Sequence, residues 1–413
     1  MKTWKLAALA AGAAAVVSTS ADAKSASGSR NGLTWTAQSN IVGQTSTGTV
    51  ASGGNPIYLA PNNAGYSGVV GLLMTYQDGS QFVCSGSLMN NRQSIVTAGH
   101  CVSDGAANDV FGHSKGLIRT QAIFVGDAAN AADATYYTIA GGMAVPNAGT
   151  VAIDIKRIDV NQNYTGEVID QNDIAVLTMA GVAPTSAQSY DLYTTSSLTG
   201  DNFNVAGYGT RSVVGGAEGT TGAGSGAGTG RRRQGDNRYD FAWGDADFNG
   251  FFLSPDANEP GCGPNWFCGT ADIEFSYISD FDNGLPQNDT ACRTINALLG
   301  LSGPKFCNTG LGPLEVSIAG GDSGGPAFID GKLASVNSYG LTFGTGVGDF
   351  KTGLQSSWGE FNGFVPTFIH EDFIQGAMAA GVPEPASWAM MIAGFAMAGF
   401  ATRRARKGTP ILA

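Results

Sequence analysis

The sequence predicts an all-β fold, and three observations point to it. Glycine is abundant, 61 of 413 residues, and has no G-X-Y period, which excludes collagen and favours a loop-rich β chain over a helical one. Short apolar or β-rich runs recur from Gly68 onward, at 69–76, 81–83, 94–98 and 121–125, separated by Gly, Asp and Asn. Residues 326–336 place two strand patterns around Asp330-Gly331, a strong two-residue hairpin signal.

The first 23 residues read as a secretory signal peptide. Lys2 and Lys5 are followed by an apolar run over 6–17 and an Ala21-Asp22-Ala23 cleavage site, and the run is too short to span a bilayer comfortably. Residues 24–65, rich in Ser, Gly, Asn and Thr, read as a flexible lead or pro-region. The body, 66–380, is interrupted at about 211–235 by a Gly-rich stretch that cannot bury a core, and its Arg231-Arg232-Arg233 run reads as a solvated loop tip. Strand patterns resume at 239–243 and 273–278. Residues 368–380 read as a short C-terminal helix, stopped by Gly381 with Pro383 beyond.

The C-terminal end, 382–407, holds a second targeting segment. Val382-Pro383-Glu384-Pro385 leads into an apolar stretch at 386–401, closed by Arg403, Arg404, Arg406 and Lys407. Sixteen apolar residues fall short of the roughly 20 of a stable span, so a transient anchor with its C-terminus in the cytoplasm is expected. The formal charge is −11; removing the net +1 of the first segment and +3 of the last leaves about −15 on the mature domain. That balance gives nucleic-acid binding little support. Six cysteines, an even number, suit an oxidising compartment.

The sharpest chemical signal is Gly320-Gly321-Asp322-Ser323-Gly324-Gly325-Pro326. A serine hydroxyl is a poor nucleophile without a base and donors for the oxyanion, and glycines allow the tight turn that aims backbone N–H groups at one point. The base is sought among three histidines. His100, in Thr97-Ala98-Gly99-His100-Cys101, follows an apolar strand; His113 and His370 read as ordinary surface residues. Asp173, in Asn172-Asp173-Ile174-Ala175-Val176-Leu177, is the carboxylate placed to orient the imidazole. Asp280-Phe281-Asp282-Asn283-Gly284 offers oxygen ligands that could hold Ca²⁺, but without the later Glu of an EF-hand loop it reads as an Asx-rich turn. No metal or cofactor is expected.

Together with Cys84-Ser85-Gly86-Ser87-Leu88, Val205-Ala206-Gly207-Tyr208-Gly209-Thr210 and Ser338-Tyr339-Gly340, these motifs resemble the chymotrypsin/trypsin family, in family order over about 68–374. The resemblance implies two antiparallel six-stranded β-barrels with a His100–Asp173–Ser323 triad in the cleft between them. It gives the oxyanion hole to the N–H groups of Gly321 and Ser323, and the substrate backbone to Ser338, Tyr339 and Gly340. It implies disulfides Cys84–Cys101 and Cys292–Cys307, leaving Cys262–Cys268 in an insertion. Ala319 stands where the family has a cysteine, and Ser317 where trypsins place an Asp, so neutral or apolar residues are expected in the primary pocket. Asn40-Ile41-Val42-Gly43 is similar to the family's mature N-terminus, whose amine pairs with the Asp before the nucleophile, here Asp322. Ile41 lies unusually far upstream, and no basic residue precedes it.

Pro-Glu-Pro, an apolar span and a basic tail resemble the PEP-CTERM sorting signal. That resemblance implies an exosortase-type processing enzyme after signal peptidase, and a bacterial envelope or extracellular destination. The expected function is serine endopeptidase activity on a polypeptide substrate. Two alternatives are a non-catalytic surface module that binds matrix polymers, and an enzyme that processes its own Gly-rich loop or pro-region.

Overall fold

The computed structural model describes residues 24–30, 32–38, 43–44, 58–61, 64–105, 116–126, 135–212, 215–217, 219, 228–255, 263–318, 320–381, 393 and 395–397. Part of the expected flexible lead forms an antiparallel hairpin, β1 (Ser25–Arg30) and β2 (Leu33–Gln38), and β3 (Gly43–Gln44) follows. Alternation hid this hairpin from composition: Trp35 and Ala37 point into the core while their neighbours are small and polar.

The first half of the body is a closed barrel. Its strands are β4 (Val69–Tyr76), β5 (Gln81–Leu88), β6 (Ser94–Thr97) and β7 (Leu117–Val125). A side hairpin, β8 (Tyr137–Ala140) and β9 (Met143–Pro146), precedes the last two, β10 (Thr150–Val160) and β11 (Ala175–Met179). The order β10-β11-β6-β5-β4-β7 closes on itself. Strand β4 reads as a continuous apolar run because both its faces are covered. Val70, Leu72 and Met74 fill the barrel, and Val69 and Leu73 pack with Tyr136, Tyr208 and Phe328 between the two halves.

The second half contains β12 (Asn202–Gly207), β13 (Arg233–Arg238), β14 (Phe241–Ala242), β15 (Tyr277–Phe281) and β16 (Val316–Ser317). It ends with β17 (Pro326–Ile329), β18 (Lys332–Thr342) and β19 (Glu360–Pro366). These strands run β13-β12-β17-β18-β19-β15-β14, with β2 added to β18 and β16 paired only with β3. The sheet is a half-barrel rather than a second closed one. At its seam the side chain of Asn237 takes the place of a backbone ladder, donating to the carbonyls of Asp280 (2.8 Å) on β15 and Val316 (2.9 Å) on β16. The turn between β17 and β18 is the expected one, with positive φ at Asp330 (51°) and Gly331 (71°).

Two helices are present among the described residues. The sequence reading overlooked α1 (Thr290–Leu299), although Asp289 caps it by accepting from Cys292 N (2.8 Å) and Gly300 ends it in the left-handed conformation. The terminal helix α2 (Glu371–Gly381) follows a 3-10 turn over Phe368–His370 and buries Ile374 and Ala377 against the first barrel. The arginine run is not a loop tip. Arg232 is buried, donating to the carbonyls of Ala60 (2.8 Å) and Tyr66 (2.7 Å), and its guanidinium lies over the Tyr208 ring. No helix among the described residues is long and apolar enough to cross a membrane, and the expected anchor at 386–401 lies almost wholly outside them.

Candidate active site

The site is built where the two halves meet. Strand β6 ends at Thr97 and gives way to a 3-10 turn, Gly99–Cys101, that carries His100. The Cys84–Cys101 disulfide ties this turn to β5. A side chain at Gly99 would stand 3.2 Å from Asp173 Oδ1 and 3.0 Å from the Tyr164 ring, so the residue before His100 must be small.

Asp173 lies just before β11, which pairs with β6, and it is 1 % exposed. Its Oδ1 accepts from the His100 backbone N–H at 2.7 Å, and its Oδ2 lies 2.7 Å from His100 Nδ1. The Ser338 hydroxyl donates to the same Oδ2 at 2.5 Å. Burial alone would raise this carboxyl. The His100 charge and the hydrogen bonds from His100 and Ser338 outweigh burial and hold Asp173 below the usual carboxylate range.

The loop bearing Asp173 is itself braced. Asp170 accepts from Thr165 N (2.8 Å), Thr165 Oγ1 (2.7 Å) and Asn172 N (2.8 Å). His370 is buried, not on the surface. Its Nδ1 lies 3.0 Å from Asn161 Nδ2 and its Nε2 2.7 Å from the Gln171 carbonyl, and burial holds its pKa below the usual histidine value. His113 lies outside the described residues.

Ser323 is buried in a turn with positive φ at Gly321 (101°) and Gly324 (78°). Ser85 on β5 holds this turn from the first barrel. Its N–H donates to the Ser323 carbonyl (2.8 Å), and its hydroxyl donates to the Gly321 carbonyl (2.7 Å) while accepting from Tyr208 N (3.0 Å). A Cβ on Gly324 would fall 1.9 Å from Thr97 Oγ1 and 2.7 Å from Ala98 N, two residues from His100. From the other side, Gly324 N donates to Asn337 O (2.8 Å), and Asn337 N donates to Gly325 O (3.0 Å). The Ser323 turn is therefore clamped between β18 and the strand end that presents His100.

The neighbouring Asp322 is satisfied by a local donor, Gly209 N at 2.7 Å, and burial pushes it up to about 7. It lines a cavity with Arg211, Arg233 and Ser317. Ile41 lies outside the described residues; Gly43, two positions on, is paired with Ser317.

The expected substrate-binding residues have partners of their own. Ser317 donates to Asn362 Oδ1 at 2.6 Å, and Ala319 lies outside the described residues. Tyr339 is buried with its hydroxyl between Trp243 Nε1 (3.0 Å) and Ser276 Oγ (2.7 Å). Gly340, expected to pair with substrate, is paired with Gln38 of β2. Of the expected disulfides, Cys84–Cys101 and Cys292–Cys307 are formed; Cys268 is disulfide-bonded, and Cys262 lies outside the described residues.

The roles of Ser85 and His370 were not legible from sequence, because each acts through a contact between distant elements, whereas Asp170 braces its own loop through Thr165 and Asn172. Ser338 was singled out for substrate, and its link to Asp173, 165 positions away, carried no local signal.

Residues 64–225 match the trypsin family and residues 381–407 match the PEP-CTERM protein-sorting motif. The trypsin match covers His100 and Asp173 and stops before Ser323, beyond the Gly-rich insertion. No curated protein matches the chain.

Proposed function

We propose that this chain, which carries a trypsin-family domain and a PEP-CTERM sorting motif, is an exported serine endopeptidase with His100, Asp173 and Ser323 as its triad. The sorting motif implies export and association with the cell envelope. The observation that carries the catalytic reading is the His100–Asp173 pair, made through both the ring and the backbone N–H, beside a clamped Ser323 turn.

The chemistry follows from the charge at Asp173. An ionised carboxylate accepts the Nδ1 proton of His100, which leaves Nε2 with a lone pair to take the proton of Ser323 Oγ. Ser323 attacks the peptide carbonyl, the N–H groups of Gly321 and Ser323 stabilise the oxyanion, and His100 returns the proton to the leaving amine. Water, deprotonated by the same imidazole, then releases the acyl group. Ser338 steadies the carboxylate that steadies the imidazole. A neutral or apolar side chain suits a primary pocket in which Ser317 replaces a carboxylate and has its hydroxyl occupied by Asn362.

Signal peptidase and an exosortase-type enzyme are the proposed processing partners, with transient membrane anchoring through 386–401. A peptide panel tests the assignment: wild type cleaves members of it, and Ser323→Ala cleaves none. Equal cleavage by the two proteins refutes it.

A further inference from the structure

Five of the buried carboxyl groups in the second half lie near one another and are not used by peptide hydrolysis. Asp240, Asp280, Asp282, Asp289 and Glu315 are each no more than 4 % exposed. One oxygen from each of Asp280, Asp282 and Glu315 lies within 4.8 Å of the other two. Most of their oxygens are held by backbone donors. Asp280 Oδ2 accepts from Ala291 N (3.0 Å), Asp282 Oδ1 from Gly284 N (2.6 Å), and Glu315 from Leu311 N (2.8 Å) and Asp282 N (2.9 Å). Asp240 Oδ2 accepts from Asp280 N (2.7 Å), and Asp289 caps α1. Asp282 Oδ2 is fully shielded from solvent and has no hydrogen-bond partner.

Three carboxylates this close in a buried site cannot all be charged unless something positive joins them. Among the described residues, no Lys or Arg forms an ion pair with Asp280 or Asp282. Protons or a metal cation can fill that role at Asp280 and Asp282.

We propose that Asp280, Asp282 and Glu315 form a calcium-binding site. The donor set is all oxygen, without His or Cys, which selects a hard cation. Its spacing is irregular and backbone-locked, which Ca²⁺ tolerates and the near-ideal octahedron of Mg²⁺ does not. The Asx turn expected at Asp282 is present as the Gly284 bond, but its Glu partner stands 33 positions along the chain, far outside any loop motif. A cation here ties β15 to the segment running from Glu315 into Val316–Ser317. That segment lines the expected primary pocket and leads to Ala319, where the family's bracing cysteine is absent.

The test uses the full-length protein stripped with EDTA and titrated with CaCl₂ in a calorimeter. The expected result is one site with a dissociation constant of roughly millimolar or tighter, and weaker binding of MgCl₂. Saturating Ca²⁺ should raise the melting temperature by several degrees over EDTA, and Asp282→Asn should weaken binding about tenfold or more. If Asp282→Asn does not fold, terbium anomalous scattering from wild-type crystals places the ion, and a peak anywhere but between these carboxyls overturns the proposal. No binding by wild type up to about 10 mM, or unchanged binding by folded Asp282→Asn, also overturns it.

Strand β18 supports a separate inference, which rests on the peptidase reading. One edge of β18 is paired with β19 from Ser335 to Leu341. The opposite edge is taken by β17 as far as Val336 and by β2 from Gly340 to Thr342. Among the described residues, neither strand pairs with that edge at Ser338 and Tyr339. We infer that β2 truncates the substrate-binding edge, so that a substrate strand pairs only opposite Ser338 and Tyr339. Trp35 and Ala37, buried in the second-half core, hold β2 in place.

Peptide aminomethylcoumarins lengthened from one to four residues before the scissile bond give the test. The expected kcat/KM rises from one residue to two and then stays flat within about threefold. A gain of about tenfold or more at the third residue overturns the truncation while leaving the peptidase reading intact. Cleavage of none of the series overturns both.

Discussion

Asp173→Asn isolates the charge at the centre of the proposed triad while keeping its shape. In the wild-type protein this carboxylate accepts three hydrogen bonds, from His100 N, His100 Nδ1 and Ser338 Oγ. An asparagine has one acceptor oxygen and one donor nitrogen. With the oxygen facing His100 N, the amide N–H meets Nδ1, which must then accept; the imidazole proton moves to Nε2, and Nε2 can no longer take the Ser323 proton. With the amide reversed, two N–H groups face each other at the His100 backbone. Either way two charge-assisted bonds are lost or inverted, each worth about 1.5–3 kcal/mol. At about 1.36 kcal/mol per decade, that total corresponds to a loss of roughly 10²–10⁴ in kcat. The wrong tautomer puts the expected value near the upper end, about 10⁴. KM should change little, because Asp173 is walled off from substrate by His100. The assay is steady-state turnover of a fluorogenic peptide chosen on the wild type, with circular dichroism to confirm the fold. A folded Asp173→Asn protein with kcat within about tenfold of wild type refutes the reasoning.

Three further outcomes follow from the same contacts. Gly324→Ala forces a side chain onto Thr97 Oγ1 at a positive φ, so it should cost at least about 1–3 kcal/mol and abolish turnover; a stable, active variant contradicts the clamp. Asp322 is raised from an ordinary value to about 7, so its neutral form is the one the fold favours. Its contribution is intact below about pH 4 and is lost as pH rises towards 7, by an upper limit of about 4 kcal/mol, and Asp322→Asn should flatten that part of a urea-midpoint profile. His370→Ala removes the brace under the Asp173 loop, so kcat should fall severalfold with KM unchanged while His370→Gln retains more activity; equal kcat in all three proteins removes the positioning role.

The candidate triad could be picked out in the sequence because short motifs carry its members. Thr97 to Cys101 places His100 at a strand end, and the glycines around Ser323 announce a turn that only their backbone freedom allows. The first barrel was legible for a similar reason, since strands such as β4, covered on both faces, are apolar throughout. What escaped was set by distant partners. The β1–β2 hairpin is polar and small on one face, so composition placed it with a flexible lead. Arg232 looks like any loop arginine until the carbonyls of Ala60 and Tyr66 are found around it. Helix α1 did carry local signals, Asp289 and Gly300, but its ten residues lie between Gly-, Asn- and Asp-rich flanks that read as loop. Asp280 and Asp282 stood out in the sequence as an Asx-rich turn, but Glu315 joins them only through the fold, accepting from Asp282 N across 33 positions.

The most direct measurement of the central claim is labelling by an organophosphonate, which requires an activated serine but no paired substrate strand. Wild-type protein should become modified once, with the adduct mapping by mass spectrometry to Ser323, and His100→Ala and Asp173→Asn should label slower by orders of magnitude. An unmodified wild type, or labelling at Ser323 that survives His100→Ala undiminished, contradicts a His100–Asp173–Ser323 triad.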